Sequence, residues 1–230
     1  MAIATKNGNG AATNRIANIS PNGKSETVTI SPPNFQVASF KIRGTAQYVQ
    51  NKFSAKARAQ IQATQEAGST AKGKKKRSAK DFRKCYEECQ YVAADGSKGV
   101  PAGAFRNALV SACKAVGFAM TRAKIALFII ADCHDADDLF TPMVKITKGK
   151  PKMVISPARN ANGAIDLRAR AHWEEGWEAT VRVRYDADMF TLNDVANLMA
   201  QVGIRIGIGE GRPDSKDSCG MDWGMFEIVN

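Results

Sequence analysis

"WEATVRVRYDADMFTLNDVANLMAQVG", residues 177–203, sets a strand directly before a helix, and the fold turns on that order. Trp177, Ala179, Val181, Val183 and Tyr185 fall on one side of an extended chain. Glu178, Thr180, Arg182 and Arg184 fall on the other, the period of a half-buried strand. After "DADMF", Thr191 and Asp194 form a capping pair, and Leu192, Val195, Leu198, Met199 and Val202 recur at helical spacing. Gly203 predicts the stop. Ile204, Ile206 and Ile208 then read as strand-like residues running into Gly209, Glu210, Gly211 and Arg212, and 223–229 predicts a last strand.

The same reading extends upstream. "NFQVASFKIRG" (34–44) predicts a first strand ending at Gly44, and "NKFSAKARAQIQATQEAG" (51–68) is helix-prone and polar. Ser78 with Asp81 predicts a capped helix to about Gln90. "VPAGAFRNALVSACKAVG" (100–117) is the clearest helix: Pro101 suits the first turn, Phe105, Leu109, Ala112 and Val116 share a face, and Gly117 ends it. "KIALFIIA" (124–131) predicts a short buried strand, and "MVKITKGKPKMVIS" (143–156) a hairpin with Lys148–Lys150 at its tip. With a basic insertion at about 45–95 and a hairpin insertion at 140–175 set aside, the order is strand, helix, strand, strand, helix, strand. That predicts an α+β domain spanning 26–230, with the ferredoxin-like order that RNA-recognition-motif sheets also use and helices on one face. Residues 1–25 predict a loose tail.

Composition narrows the function. At 44% apolar content, 230 residues support a core, and no run approaches the roughly 20 apolar residues of a membrane span. No apolar leader opens the chain, so it is expected in the cytoplasm, a host's if it is virus-encoded. The five cysteines (85, 89, 113, 133 and 219) have no disulfide-framework spacing, which fits a reducing compartment. The net charge of +11 is unevenly placed: 41–84 holds 13 Lys/Arg against Glu66 and Asp81, and the remainder is neutral. Such a block attracts polyanions by counterion release.

The residues expected to hold phosphate follow from that excess. They are Lys41, Arg43, Lys52, Lys56 and Arg58; the run Lys74, Lys75, Lys76 and Arg77; and Arg106, Arg168 and Arg170. Arg212 adds a forked donor beside Gly207, Gly209 and Gly211, whose backbone can approach a phosphate closely. The glycine spacing is not that of a dinucleotide loop and no Walker lysine is present, so no cofactor is expected. Phe40, Tyr48, Phe53, Tyr86, Tyr91, Trp173 and Trp177 are candidate stacking surfaces, and Tyr48 and Phe53 lie among cations. In "IDLRARAHW" (165–173), Arg168, Arg170 and His172 share one side of an extended segment. "ADCHDADD" (131–138) is the rival signal: Asp132, His134, Asp135, Asp137 and Asp138 are metal-nuclease residue types, though acidic clusters after strands more often cap turns. A structural, genome-packaging protein with a basic arm is a third reading.

Two passages carry a resemblance. "VPAGAFRNALV" (100–110) resembles the glycine- and serine-rich helix start of the repeat-associated mysterious protein superfamily, which includes the backbone subunits that coat guide RNA in CRISPR effector complexes. "GIGEGRP" and "GMDWGMFEIV", preceded by "YDADMFTLNDVANLMAQVG", resemble its C-terminal glycine-rich loop and following strand. The resemblance covers 100–110 and 177–229. It implies a modified RNA-recognition-motif fold; the charge block and the aromatics among it add the expectation of no catalytic activity, and no metal is expected. Such a fold binds single-stranded RNA, more than DNA, through the backbone, and its copies line up as a homo-oligomer along the strand. A stand-alone or virus-encoded relative satisfies it equally.

Overall fold

The computed structural model describes residues 14–19, 25–53, 55–66, 79–137, 141–159, 163–215 and 221–229, with side chains of 14–29, 55–57, 64 and 159 outside that description. In chain order the elements are β1 (Asn14–Ile19), β2 (Ser25–Ile30), β3 (Phe35–Gly44), β4 (Tyr48–Gln50), α1 (Ala55–Glu66), α2 (Phe82–Glu88), β5 (Gly99–Pro101) and α3 (Ala102–Ala115). There follow α4 (Met120–Ala126), β6 (Leu127–Ile130), β7 (Cys133–His134), β8 (Pro142–Lys148), β9 (Lys152–Arg159), β10 (Ile165–Trp173), β11 (Glu178–Asp186), α5 (Leu192–Gln201), a π-helical turn (Val202–Ile206) and β12 (Phe226–Val229). The architecture is mixed α+β with mostly antiparallel sheets.

β3 and β11 form the centre of the larger sheet. Val181 pairs with Phe40, Val183 with Ala38 and Ala179 with Ile42, so the alternating apolar residues of both strands meet on one face. All six are buried there with Phe105, Leu109 and Ala112 of α3 and Val195, Leu198 and Met199 of α5. β12 adds to the free edge of β3, and β6 to β11 through Arg182–Tyr185, both antiparallel. β8 takes the other end of β11 and carries β5 and β7. Phe35, Val37, Lys41, Arg43 and Arg184 lie on the opposite, exposed face, where the Arg184 guanidinium sits 5.4 Å from the Phe35 ring and 4.9 Å from Phe128.

A second sheet has the order β4–β10–β9. The chain crosses between the sheets beside Gly44, whose N–H donates to the Trp177 carbonyl at 2.7 Å and whose carbonyl accepts from Gly176 at 2.9 Å. Aromatic rings fill that junction. Tyr48 lies 5.3 Å from Trp173 and 5.6 Å from Trp177, and all three are buried.

Several expectations change. Within the span read as a tail, Asn14–Ile19 pairs antiparallel with Ser25–Ile30. "MVKITKGKPKMVIS" does not close on itself, because β8 joins β11 and β5 while β9 pairs with β10. The hairpin of the 140–175 region is therefore β9–β10. "KIALFIIA" is helical through Ala126, and only Leu127–Ile130 is strand. Asp81 itself caps α2 by accepting from the Lys84 amide, and Ser78 lies outside the described residues. The Thr191–Asp194 capping box forms as read, but α5 continues past Gly203 into the π-turn and ends at Gly207 (φ 69°). Gly203 is required for another reason: a Cβ there would lie 2.1 Å from the Phe226 carbonyl oxygen of β12. The last strand begins at Phe226 rather than at 223.

Candidate nucleic-acid interface

The π-turn delivers the chain into the glycine-rich loop, and internal hydrogen bonds stitch that loop down. Gly207 donates to the Val202 carbonyl, Ile208 to Gly224, Glu210 to Val49, and Gly224 to Gln47, all within 2.7–3.1 Å. The amides of Gly207, Ile208 and Glu210 are therefore engaged in the fold rather than presented as an open phosphate cradle. Gly209 and Gly211 have positive φ and no free space: a Cβ would meet the Tyr48 ring and Val49 oxygen at 2.6 Å, or the Trp223 ring at 2.4 Å. What the loop offers a ligand is side chains. Arg212 is one, its guanidinium held by a 3.0 Å bond to the Gly209 carbonyl.

This loop forms one wall of a cleft of about 1410 Å³. The second wall is a face of α3 carrying Ala104, Asn107, Ala108 and Ser111, small and uncharged residues at helical spacing. The third is the β9–β10 hairpin, with Val154, Ser156, Arg168 and His172, and Gln47, Gln50, Tyr91 and Trp223 complete the lining. The two passages that carried the resemblance, far apart in sequence, thus face one space.

Arg168, Arg170 and His172 do share one side of β10. Arg168 and His172 line the cleft, and Arg170 donates to Glu210 of the glycine loop at 2.5 Å, tying hairpin to loop. His172 is buried, with Nδ1 3.1 Å from the Gln47 Oε1 and its ring edge-on to Trp223 at 5.4 Å. Burial holds its imidazole below the usual value, so the ring is neutral near pH 7.

Other sequence candidates lie elsewhere. Lys41 and Arg43 are on the exposed sheet face and converge with Lys148 on Glu178, at 3.3, 3.2 and 3.1 Å. Lys52 is not a groove cation: its side chain is 5% exposed and pairs with Asp135, and with Asp137 at 3.2 Å. Arg106 is a brace, donating to the Leu127 carbonyl at 3.1 Å and to that of Lys124, with Phe128 under its guanidinium. Arg58 lies half-buried on α1. The Lys56 side chain, and Lys74, Lys75, Lys76 and Arg77, lie outside the described residues. Of the proposed stacking rings, Phe40, Tyr48, Trp173 and Trp177 are core, Tyr86 is partly buried, Phe53 is exposed and Tyr91 lines the cleft.

Asp132, Asp135 and Asp137 of the acidic cluster are engaged structurally, and Asp138 lies outside the described residues. Asp132 accepts from the Lys145 amide and from Arg182 at 2.8 Å, and buried Asp135 accepts from the Val92 amide besides pairing with Lys52. Among the described residues, no three His, Cys, Asp or Glu are grouped to hold a metal, and no helix is long and apolar enough to cross a membrane. Sequence reading missed Gln47, Asn107, Glu210 and Trp223. Each is a single polar or aromatic residue with no local pattern, and only tertiary pairing brings it to the cleft. No known protein family matches the chain, and no curated protein resembles it significantly.

Proposed function

We propose that this chain is a non-catalytic binder of single-stranded nucleic acid, RNA in preference to DNA, that tolerates any sequence and assembles along the strand. The observation that carries the reading is the convergence of the α3 face, the glycine loop and the β9–β10 hairpin on one cleft. The small side chains of α3 admit a bulky polymer. Arg168 and Arg212 supply phosphate donors, Tyr91 and Trp223 supply rings, and Gln47 and Asn107 bond sugar or base edges without fixed sequence demand. The basic excess in 41–84 supplies long-range attraction. The antiparallel neighbours β12–β3–β11–β6, with α3 between β3 and β6, α5 between β11 and β12, and β8 sharing the β11 edge, are consistent with a ferredoxin-like order and support the resemblance to guide-RNA backbone subunits.

The test is a fluorescence titration of labelled single-stranded RNA, single-stranded DNA and duplex at two salt concentrations. Single strands should bind best, with log affinity falling by about 0.7 per phosphate neutralised for each decade of salt. A flat salt response, or duplex bound most tightly, refutes the reading. Mass measurement with strands of increasing length should show stoichiometry rising with length; one copy at every length removes the assembly claim.

A further inference from the structure

The face of the larger sheet turned away from α3 and α5 is uncovered among the described residues, and none of its side chains lines the cleft. Along β3 it carries Phe35, Val37, Ser39, Lys41 and Arg43, a row of about 26 Å. Arg184 and Arg182 stand beside that row on β11, opposite Val37 and Ser39, and Phe128 stands opposite Arg184 on β6. Apolar surface is left open here: Phe35 is 40% exposed and Val37 57%. Phe35 meets Phe128 edge-on at 5.8 Å, and the Arg184 guanidinium lies 5.4 Å from the first ring and 4.9 Å from the second. Arg184 meets no carboxylate among the described residues, so its N–H groups remain available to an acceptor. Farther along the row, three cations, Lys41, Arg43 and Lys148, share the single carboxylate of Glu178. Asp186 and Glu227, at the two ends of the face, offset only part of that surplus.

A partner for this face must answer both the rings and the unpaired guanidinium. A purely apolar surface would bury Arg184 without an acceptor, at high cost. An acidic peptide would pair the cations and leave Phe35 in water. Single-stranded nucleic acid supplies an anion at every unit and a flat ring beside it, and aromatics interleaved with guanidiniums stack such a strand. We infer that the open sheet face is a second site for single-stranded nucleic acid, where Phe35 stacks a base and Arg184, Lys41 and Arg43 hold phosphates. One chain then carries two strand segments, one in the cleft and one across the sheet. The inference takes its ligand class from the single-strand reading above and shares no residue with the cleft.

Calorimetric titration of the full chain with an oligouridine of about six nucleotides counts the sites. The native chain should bind two strands. Phe35→Ser combined with Arg184→Gln, both at exposed positions, should bind one at an unchanged melting temperature. Arg168→Ala combined with Arg212→Ala should also bind one, and all four changes together none. Arg184→Gln alone should weaken the sheet site about tenfold, the scale of one charged hydrogen bond. One strand per native chain, untouched by the sheet-face pair, overturns this inference and leaves the cleft reading standing. Two strands still bound by the sheet-face pair overturn it as well. A single strand lost with the sheet-face pair but kept by the cleft pair upholds the inference and overturns the cleft. A sheet-face pair that changes the size of the protein without nucleic acid marks the face as a seat for another copy and overturns the inference. No binding at all overturns both.

Discussion

Replacing Gly209 by alanine separates two costs that the loop combines. The residue has φ +81°, where a side chain costs about 1–2 kcal/mol. Its new Cβ would lie 2.6 Å from both the Tyr48 ring and the Val49 carbonyl oxygen. Neither neighbour can retreat: Tyr48 is wedged against Trp173 and Trp177, and the Val49 oxygen already accepts the Glu210 amide at 3.0 Å. Overpacking of this kind adds about 1–3 kcal/mol, for a total of about 2–5. Gly176 is the control, with φ +85° and nothing within 4 Å of its would-be Cβ, so Gly176→Ala should cost only the backbone part, about 1–2 kcal/mol. Urea denaturation of both variants, read at unchanged m-value, gives the difference. Equal destabilisation would refute the claim that the loop is seated against Tyr48, and with it the cleft wall that the loop forms.

Lys52→Met should destabilise by about 3–5 kcal/mol in urea, because it strands Asp135 in the core, while Lys52→Met with Asp135→Leu should recover much of that. Glu178, held at about 2 by Lys148 first and by Lys41 and Arg43 beside it, lies below the ordinary 4.5. Its contribution is complete above the unfolded value and is lost as pH falls toward 2, so Glu178→Gln should flatten the acid limb of a melting-temperature profile. Neutralising Lys74, Lys75, Lys76 and Arg77 should weaken binding to every polyanion and lower the salt slope by up to about 0.7 for each phosphate that is no longer neutralised, as a salt titration would show.

The legible parts of the fold were those specified within a few residues. The alternation in β11 needs only its own side chains, and Thr191 and Asp194 sit three apart and satisfy each other across one helical turn. Pairing across sheets was not legible. Lys148–Lys150 has the look of a hairpin tip, yet β8 is claimed by β11 and β5, and β9 by β10, partners distant in sequence. The alternation of Ile204, Ile206 and Ile208 imitates a strand, but the preceding helix winds on through the first two, which no local pattern betrays. Of the site, the shared face of Arg168, Arg170 and His172 followed from period two alone. The burial of Lys52 did not, because its aspartates come from the far side of the chain. The glycines of the loop were conspicuous in sequence, but the role of Gly209 and Gly211, giving room to Tyr48 and Trp223, depends on rings that only folding brings near.

The π-helical turn holds one residue that the aim of the cleft wall does not require. It winds one residue more per turn than an α-helix before releasing the chain at Gly207, and Ile204 within it is 68% exposed. Deleting Ile204 would let the wide turn close as an ordinary α-helical turn, and the chain would leave α5 in nearly the same direction, because the extra residue is spent within a single revolution. One codon can thus be gained or lost in this turn without re-aiming the glycine loop or parting Arg212 from Arg168.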